Sequence, residues 1–192
     1  MSTMCTSRCP PHLYANADNN LCVPALDCPA NFYGDNSTNR CVSRCPADQN
    51  TFGEGNTKEC VQVCPEGLYA DSSTRRCASS CSTGLFKDPS SKQCVTVCPS
   101  MPNLYADPNT LICEVTCTSN FYAYDLSRKC VSMCPATPPY YANLQTKRCL
   151  TTCPIDTYKF TDNTFRGCVD VCPKRVYSSF YQVDLFAQNT TW

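Results

Sequence analysis

The sequence predicts small disulfide-rich repeats, set out as an elongated rod of short β-strands and turns with little helix. Three observations carry that prediction. Cysteine supplies 20 of the 192 residues, the density of a disulfide scaffold rather than of a domain with a large apolar core. The cysteines come as ten pairs, separated by intervals of only 12 or 14 residues. Each resulting unit is too short to hold itself by apolar burial alone, so it needs a covalent staple and a neighbour to lean on.

The first element is the pair itself. Nine pairs are C-x3-C: Cys5/Cys9, Cys41/Cys45, Cys60/Cys64, Cys77/Cys81, Cys94/Cys98, Cys113/Cys117, Cys130/Cys134, Cys149/Cys153 and Cys168/Cys172. Cys22/Cys28 has two extra residues. The alternating, β-branched C-V-x-V-C runs suit short extended segments. Proline follows the second cysteine in eight pairs and opens a loop. Eight residues before each closing cysteine stands an aromatic: Tyr14, Tyr33, Phe52, Tyr69, Phe86, Tyr105, Tyr122, Tyr141 or Phe160. Its fixed distance from cysteine points to packing over a neighbouring disulfide as a miniature core. Two residues on stands Asn16, Asp35, Glu54, Asp71, Asp88, Asp107, Asn143 or Asp162, with Tyr124 the exception. Ser or Thr recurs three residues before the closing cysteine. These are turn formers through side-chain bonds to the backbone. The two-residue length change falls between C-P and the aromatic, so that loop is the tolerant part. No stretch carries capped helical periodicity, and Tyr177 to Gln188 is the one place left for a helical turn.

A longer period lies within the first. Even-numbered pairs carry Val23, Val61, Val95, Val131 and Val169 after their first cysteine, whereas odd-numbered pairs are looser. The first cysteines of the odd pairs, Cys5, Cys41, Cys77, Cys113 and Cys149, are 36 residues apart. The chain is therefore one continuous array over residues 1–192, of half-repeats of 17–19 residues in a unit of 36. The alternation predicts an apolar-edged pair turned inward and a polar-edged pair turned outward. Phe186 to Trp192 fits the module frame, and Ser2 occupies the Ser/Thr place before Cys5. The chain is expected to be a segment of a longer array.

Two pairings respect the repeat. In the forward one, the second cysteine of each pair bonds the first of the next: Cys9–Cys22, Cys28–Cys41, Cys45–Cys60, Cys64–Cys77, Cys81–Cys94, Cys98–Cys113, Cys117–Cys130, Cys134–Cys149 and Cys153–Cys168. Each loop of about 15 residues is then worth ~3 kcal/mol, and Cys5 and Cys172 need partners outside the segment. In the crossed one, Cys5–Cys22 goes with Cys9–Cys28, Cys41–Cys60 with Cys45–Cys64, and every cysteine is satisfied.

The C-V-x-x-C-P-x-x-x-Y-A-D pattern resembles the furin-like repeats of growth-factor-receptor cysteine-rich regions, and more so the long tandem versions on surface proteins of ciliates and other protists. The resemblance runs from Cys5 to Trp192. It implies a spacer-like fold and the forward pairing, and says little about activity. Receptor regions mix module types, whereas this chain repeats one.

Composition excludes several classes. Sixteen basic residues balance 16 acidic ones with no basic stripe, so nucleic acid is not an expected partner. No apolar run is long enough for a membrane span. Disulfides on this scale place the chain outside the reducing compartments, with an extracellular cell or cilium surface as the expected location. The start, Met1-Ser2-Thr3-Met4, is too short and polar for a leader, so processing or excision is expected. Zinc favours C-x2-C or C-x4-C pairs and histidine, and the chain has His12 alone. Each module offers one carboxylate, too few for calcium. No catalytic motif is present, so the chain is read as no enzyme, with no cofactor and no metal.

Sequons occur at Asn36-Ser37-Thr38 and Asn189-Thr190-Thr191, in the same register of the repeat. Asn36 and Asn189 are therefore expected glycosylation sites on exposed turns, and the many Ser and Thr could carry O-glycans. The expected function is structural: a glycosylated extracellular repeat protein whose partner is itself, stacking head to tail into a surface fibre or glycocalyx filament. The alternative is the stalk or ligand-binding region of a surface receptor, with Met101-Pro102-Asn103-Leu104 and Tyr177 to Phe186 as candidate patches. A secreted growth factor or toxin fits less well, because those frameworks are closed and finite.

Overall fold

In a computed structural model of the chain, the described residues are 8–161 and 165–171, with the backbones of two further short strands, β19 (Arg175–Val176) and β20 (Gln182–Val183). Cys5, Cys172, Asp162 and Asn189 lie outside the described residues. The chain divides into two compact units, Met1–Thr96 and Val97–Trp192.

The first unit is built of five hairpins: β1 (Tyr14–Asn16) with β2 (Leu21–Val23), β3 (Tyr33–Asp35) with β4 (Arg40–Val42), β5 (Phe52–Gly53) with β6 (Cys60–Val61), β7 (Tyr69–Asp71) with β8 (Arg76–Ala78), and β9 (Phe86–Asp88) with β10 (Gln93–Val95). The second unit holds five: β11 (Tyr105–Ala106) with β12 (Cys113–Glu114), β13 (Tyr122–Tyr124) with β14 (Lys129–Val131), β15 (Tyr141–Asn143) with β16 (Arg148–Leu150), β17 (Tyr158–Thr161) with β18 (Arg166–Val169), and β19 with β20.

Strands of two to four residues cannot stand alone. Within each unit the strands of neighbouring hairpins therefore lean on one another. The first strand of one module pairs in parallel with the second strand of the module after it: Ala15 with Arg40, Gly53 with Arg76, Ala70 with Gln93, Ala106 with Lys129, Ala123 with Arg148 and Ala142 with Gly167. An isolated bridge, Gly34 to Glu59, does the same between β3 and β6. Strands β11 to β18 of the second unit thus form one sheet in the order β12-β11-β14-β13-β16-β15-β18-β17, and β19 with β20 makes a separate two-stranded sheet.

Nine disulfides run forward, Cys9–Cys22 through Cys153–Cys168, with Cα atoms 5.5 or 5.6 Å apart, the ordinary separation for a bridge. None of the crossed pairs, such as Cys9–Cys28, is formed among the described residues. Between the two cysteines of a pair the strand covers only the first cysteine and one residue beyond. The chain then bends, so C-V-x-V-C is extended over half its length. The two extra residues of Cys22/Cys28 are taken up in a 3-10 turn at Ala25–Asp27. Of Tyr177 to Gln188, where the sequence leaves room for a helical turn, the described part is the strand β20.

Two expectations need correction. The valines of the even pairs are not turned inward. The first intervening residue is half-buried in even and odd pairs alike, because it faces the aromatic across the hairpin. The residue before the second cysteine is open to solvent: Val63 is 76% exposed, Val97 58%, Met133 39% and Val171 79%. The length change also moves in the last module. There Tyr158, not Phe160, pairs with Val169 as Tyr14 pairs with Val23, and the added residues lengthen the hairpin instead of the loop after C-P. The carbonyl of Pro154 accepts from Thr157, directly before Tyr158, just as Pro10 accepts from Leu13 before Tyr14.

Candidate functional site

The recurring chemistry of the molecule is the joint between one module and the next. Its centre is the aromatic side chain, which lies not on its own disulfide but on the following one. Tyr14 packs with Cys28 and Cys41, Tyr33 with Cys45 and Cys60, and Phe52 with Cys64 and Cys77. Tyr105 packs with Cys117 and Cys130, and Tyr122 with Cys134 and Cys149. Five rings thus seal five bridges, and each joint gains buried aromatic area that a lone module lacks.

Beneath the ring sits the residue after the next aromatic. It must be small. A Cβ on Gly34 would stand 2.6 Å from the Tyr14 ring, and one on Gly53 equally close to Tyr33. Ala70, Ala123 and Ala142 fill the same seat under Phe52, Tyr105 and Tyr122. At these five joints the small residue after the next aromatic is therefore set by packing, not by strand propensity alone.

Backbone bonds fix the seat. The N–H of the small residue donates to a carbonyl in the next module: Ala15 to Asn39, Gly34 to Lys58, Gly53 to Arg75, Ala70 to Lys92, Ala106 to Arg128 and Ala123 to Lys147, at 2.7–2.9 Å. All six acceptors stand two residues before a closing cysteine, in the left-handed region with φ between 54° and 58°. That conformation closes a five-residue turn in which, for example, the Arg75 N–H donates to the Asp71 carbonyl.

Side chains at this left-handed position clamp the joint from above. Asn39 Nδ2 donates to the Pro10 carbonyl, Lys58 Nζ to the Cys28 and Pro29 carbonyls, Arg75 to Pro46 and Thr51, and Arg128 to Pro99. The guanidinium of Arg75 also lies 4.3 Å from the Phe52 ring centre and that of Arg128 4.6 Å from Tyr105, a favourable cation–ring placement. Sequence reading missed this column. Its signal was the run Lys58, Arg75, Lys92, Arg128 and Lys147 at one register.

The acidic column caps the turn, and it is buried rather than exposed. Asp35, Glu54, Asp71, Asp88 and Asp107 are at most 2% accessible. Asp71 Oδ1 accepts from the Ser73 N–H and hydroxyl, and Oδ2 from the Ser82 N–H and hydroxyl. Burial alone would raise this carboxyl, but the donors more than offset it and hold it down at about 2. Asp35, Glu54, Asp88 and Asp107 are likewise held low against the pull of burial. The carboxylates are fully engaged with internal donors. Asp107 lies near the sulfurs of Cys117 and Cys130, but those sulfurs are joined in a bridge and offer no thiolate to a metal.

Two tyrosines extend the joint to a third module. The Tyr14 hydroxyl donates to Asn36 Oδ1 at 2.7 Å and reaches Glu59 Oε1 at 3.2 Å, two modules on. Burial first, and then the Glu59 charge, push Tyr14 up to about 12, so it stays a neutral donor. The Tyr105 hydroxyl donates to Asp125, and Arg148 donates to both.

Asn36 is exposed at its turn, as its sequon leads one to expect. His12 is exposed too, in a left-handed turn. Of the proposed patch at Met101, the methionine is 89% exposed but Leu104 is buried, so the four residues do not share a surface.

No family model, curated protein or solved structure matches the chain. It is a cysteine-rich tandem repeat of disulfide-bonded short-strand modules. Its bridges are those of an extracellular or secreted protein. Among the described residues no helix is long and apolar enough to cross a membrane.

Proposed function

We propose that the chain is a structural, glycosylated extracellular protein of the furin-like repeat kind, building a surface fibre or glycocalyx filament at a cell or cilium surface by head-to-tail stacking. The observation that carries this reading is that the most conspicuous chemistry goes into module-to-module contact. The aromatics, the buried carboxylates, the left-handed cations and the small residues all serve the joint. A module whose two faces are complementary to each other can be repeated without a built-in stop, and a non-closing repeat gives a filament. Asn36, with Oδ1 held by Tyr14 and Nδ2 making no hydrogen bond among the described residues, is the proposed N-glycan site of the first unit. Asn189 is proposed from its sequon alone, and O-glycans on the exposed Ser and Thr are proposed with it. Cys5 and Cys172 are proposed to bond beyond this segment.

Electron microscopy of native surface material tests the reading. Filaments labelled by an antibody to this chain are expected. Labelled particles that are only short and isolated would reject the fibre. Mapping of disulfide-linked peptides under non-reducing conditions should return Cys9–Cys22, and a Cys9–Cys28 peptide would contradict the forward pairing.

A further inference from the structure

The edge strand β17 of the second unit's eight-stranded sheet and the edge strand β2 of the first unit's β2-β1-β4-β3 sheet carry unmatched halves of the joint, as the edges β9 and β12 also do. The first of them is β17. Tyr158 holds the place taken by Tyr14 in the first module, yet it is 40% exposed, whereas Tyr14, Tyr33, Tyr105 and Tyr122 are buried. Lys159 corresponds to Ala15, the residue whose N–H donates across the joint. Its own N–H points away from β18 and has no partner among the described residues. The second is β2, in the first unit. The Asn20 carbonyl corresponds to the acceptors Asn39, Lys58 and Arg75 and has the same left-handed backbone, with φ 58°. It accepts no bond from a described residue. Ala15, the first seat for a ring, is half-exposed, while Ala70, Ala106, Ala123 and Ala142 are at most 4% accessible. Cys22 is exposed, while Cys60, Cys113, Cys130 and Cys149 in the corresponding place are buried.

We propose that the occupant of the β17 edge is the β2 edge of a second copy of this chain. Tyr158 of one copy seats on the Cys9–Cys22 bridge and Ala15 of the other, and the Lys159 N–H donates to the Asn20 carbonyl. The joint continues, between copies, an interface made six times within the chain by the same backbone bond. Its geometry is heterologous, since each end fits the other and not itself. A symmetric edge-to-edge dimer would bring two donors of Lys159 type, or two acceptors of Asn20 type, face to face. This inference deepens the fibre reading and rests on it, by naming the partner and the surfaces.

Sedimentation velocity of the oxidised 192-residue chain tests it, with one variant for each end. Lys159→Pro removes the donor on the β17 edge, where an edge strand tolerates proline. Ala15→Trp fills the seat on the β2 edge. The unaltered chain is expected to grow with concentration beyond a dimer. Each variant alone should remain a monomer, and an equal mixture of the two should give dimers and stop there. Non-reducing peptide maps with all nine bridges check that each variant has folded. A second reading uses the unaltered chain alone: amide exchange at Lys159 should slow about tenfold or more on association, while exchange at Ala123, already bonded inside the chain, should not change. Variants that associate like the unaltered chain, a mixture that stays monomeric, or an unaltered chain that stays monomeric with Lys159 exchange unmoved would each overturn the joint. Filaments in native material together with failed complementation would reject this joint while leaving the fibre; absence of filaments would reject the fibre itself.

Discussion

Asp71 shows how much a single residue does in a module this small. It is a charged side chain with almost no access to water, and it is stable there because four donors converge on it. Its carboxyl falls from the usual 3.8 to about 2. A depressed carboxylate contributes stability that is fully present above the unfolded value and is lost as pH falls toward the folded one. The contribution is about 2 kcal/mol at neutral pH, and it should fade between about pH 4 and pH 2. Guanidinium unfolding of the oxidised protein across that window should show the midpoint dropping, and Asp71→Asn should lessen the dependence by that one group's share, because Asp35, Glu54, Asp88 and Asp107 are depressed as well. A pH-independent midpoint would mean that the cap is not charged. Glycine gives a second residue-scale test with its own control. Gly34→Ala drives a methyl into the Tyr14 ring and should cost about 1–3 kcal/mol, the range for overpacking. Gly55→Ala meets nothing within 4 Å and should change stability by less than about 0.5 kcal/mol. Equal effects in unfolding midpoints would deny the ring its seat.

At the scale of the hairpin, an irregularity in the sequence finds its reason. Proline follows the second cysteine in eight pairs, and the two exceptions are Ser82 and Thr118. These two donate backbone N–H groups to Asp71 and Asp107 of the preceding module, eleven residues back. Proline has no N–H to give. Ser82→Pro or Thr118→Pro should therefore leave a buried carboxylate short of a donor and cost about 1–3 kcal/mol. Pro46→Ser adds a donor near Asp35, which already has its bonds from Ser37 and Thr38, and should be near neutral by the same unfolding measurement. The hairpins themselves were legible in the sequence, because the aromatic, the acidic turn former and the closing cysteine keep constant spacing. Two things were not. The left-handed residue is hard to read because Lys, Arg and Leu do not announce positive φ as glycine does. Leu111 makes the point: it sits at φ 57° and is 50% exposed, with little packing to compensate. Leu111→Asn should stabilise by about 0.5–1 kcal/mol by easing that backbone cost. The shift of the added residues in the last module was also hidden. Tyr158 and Phe160 are both aromatic, and counting back from Cys168 selects the wrong one.

At the scale of each unit, the pairing of cysteines could not be settled by spacing, since forward and crossed schemes both fit the beat. What separates them physically is the parallel strand contact between consecutive hairpins, which rests on small residues and carbonyls that carry no obvious mark. Because each disulfide is sealed by the ring of the module before it, damage should travel backwards by one joint and then stop. Replacing Cys64 and Cys77 by serine removes a bridge worth about 3 kcal/mol and also the surface on which Phe52 lies. Hydrogen exchange should then accelerate at Gly53, whose N–H bonds to Arg75 of the opened module, and at Ala70 within it. Ala15, bonded to Asn39 two joints away, should keep its protection to within a few-fold, as nearest-neighbour coupling requires. The direct ties between alternate modules set the size of the residual effect. Tyr33 and Arg76 lie 5.5 Å apart across the opened module's neighbour, so Gly34 should be the first amide beyond the nearest joint to respond. If protection at Ala15, Gly53 and Ala70 fell together and equally, the first unit would be one cooperative body. The stability of the array would then belong to the unit as a whole rather than to its separate joints.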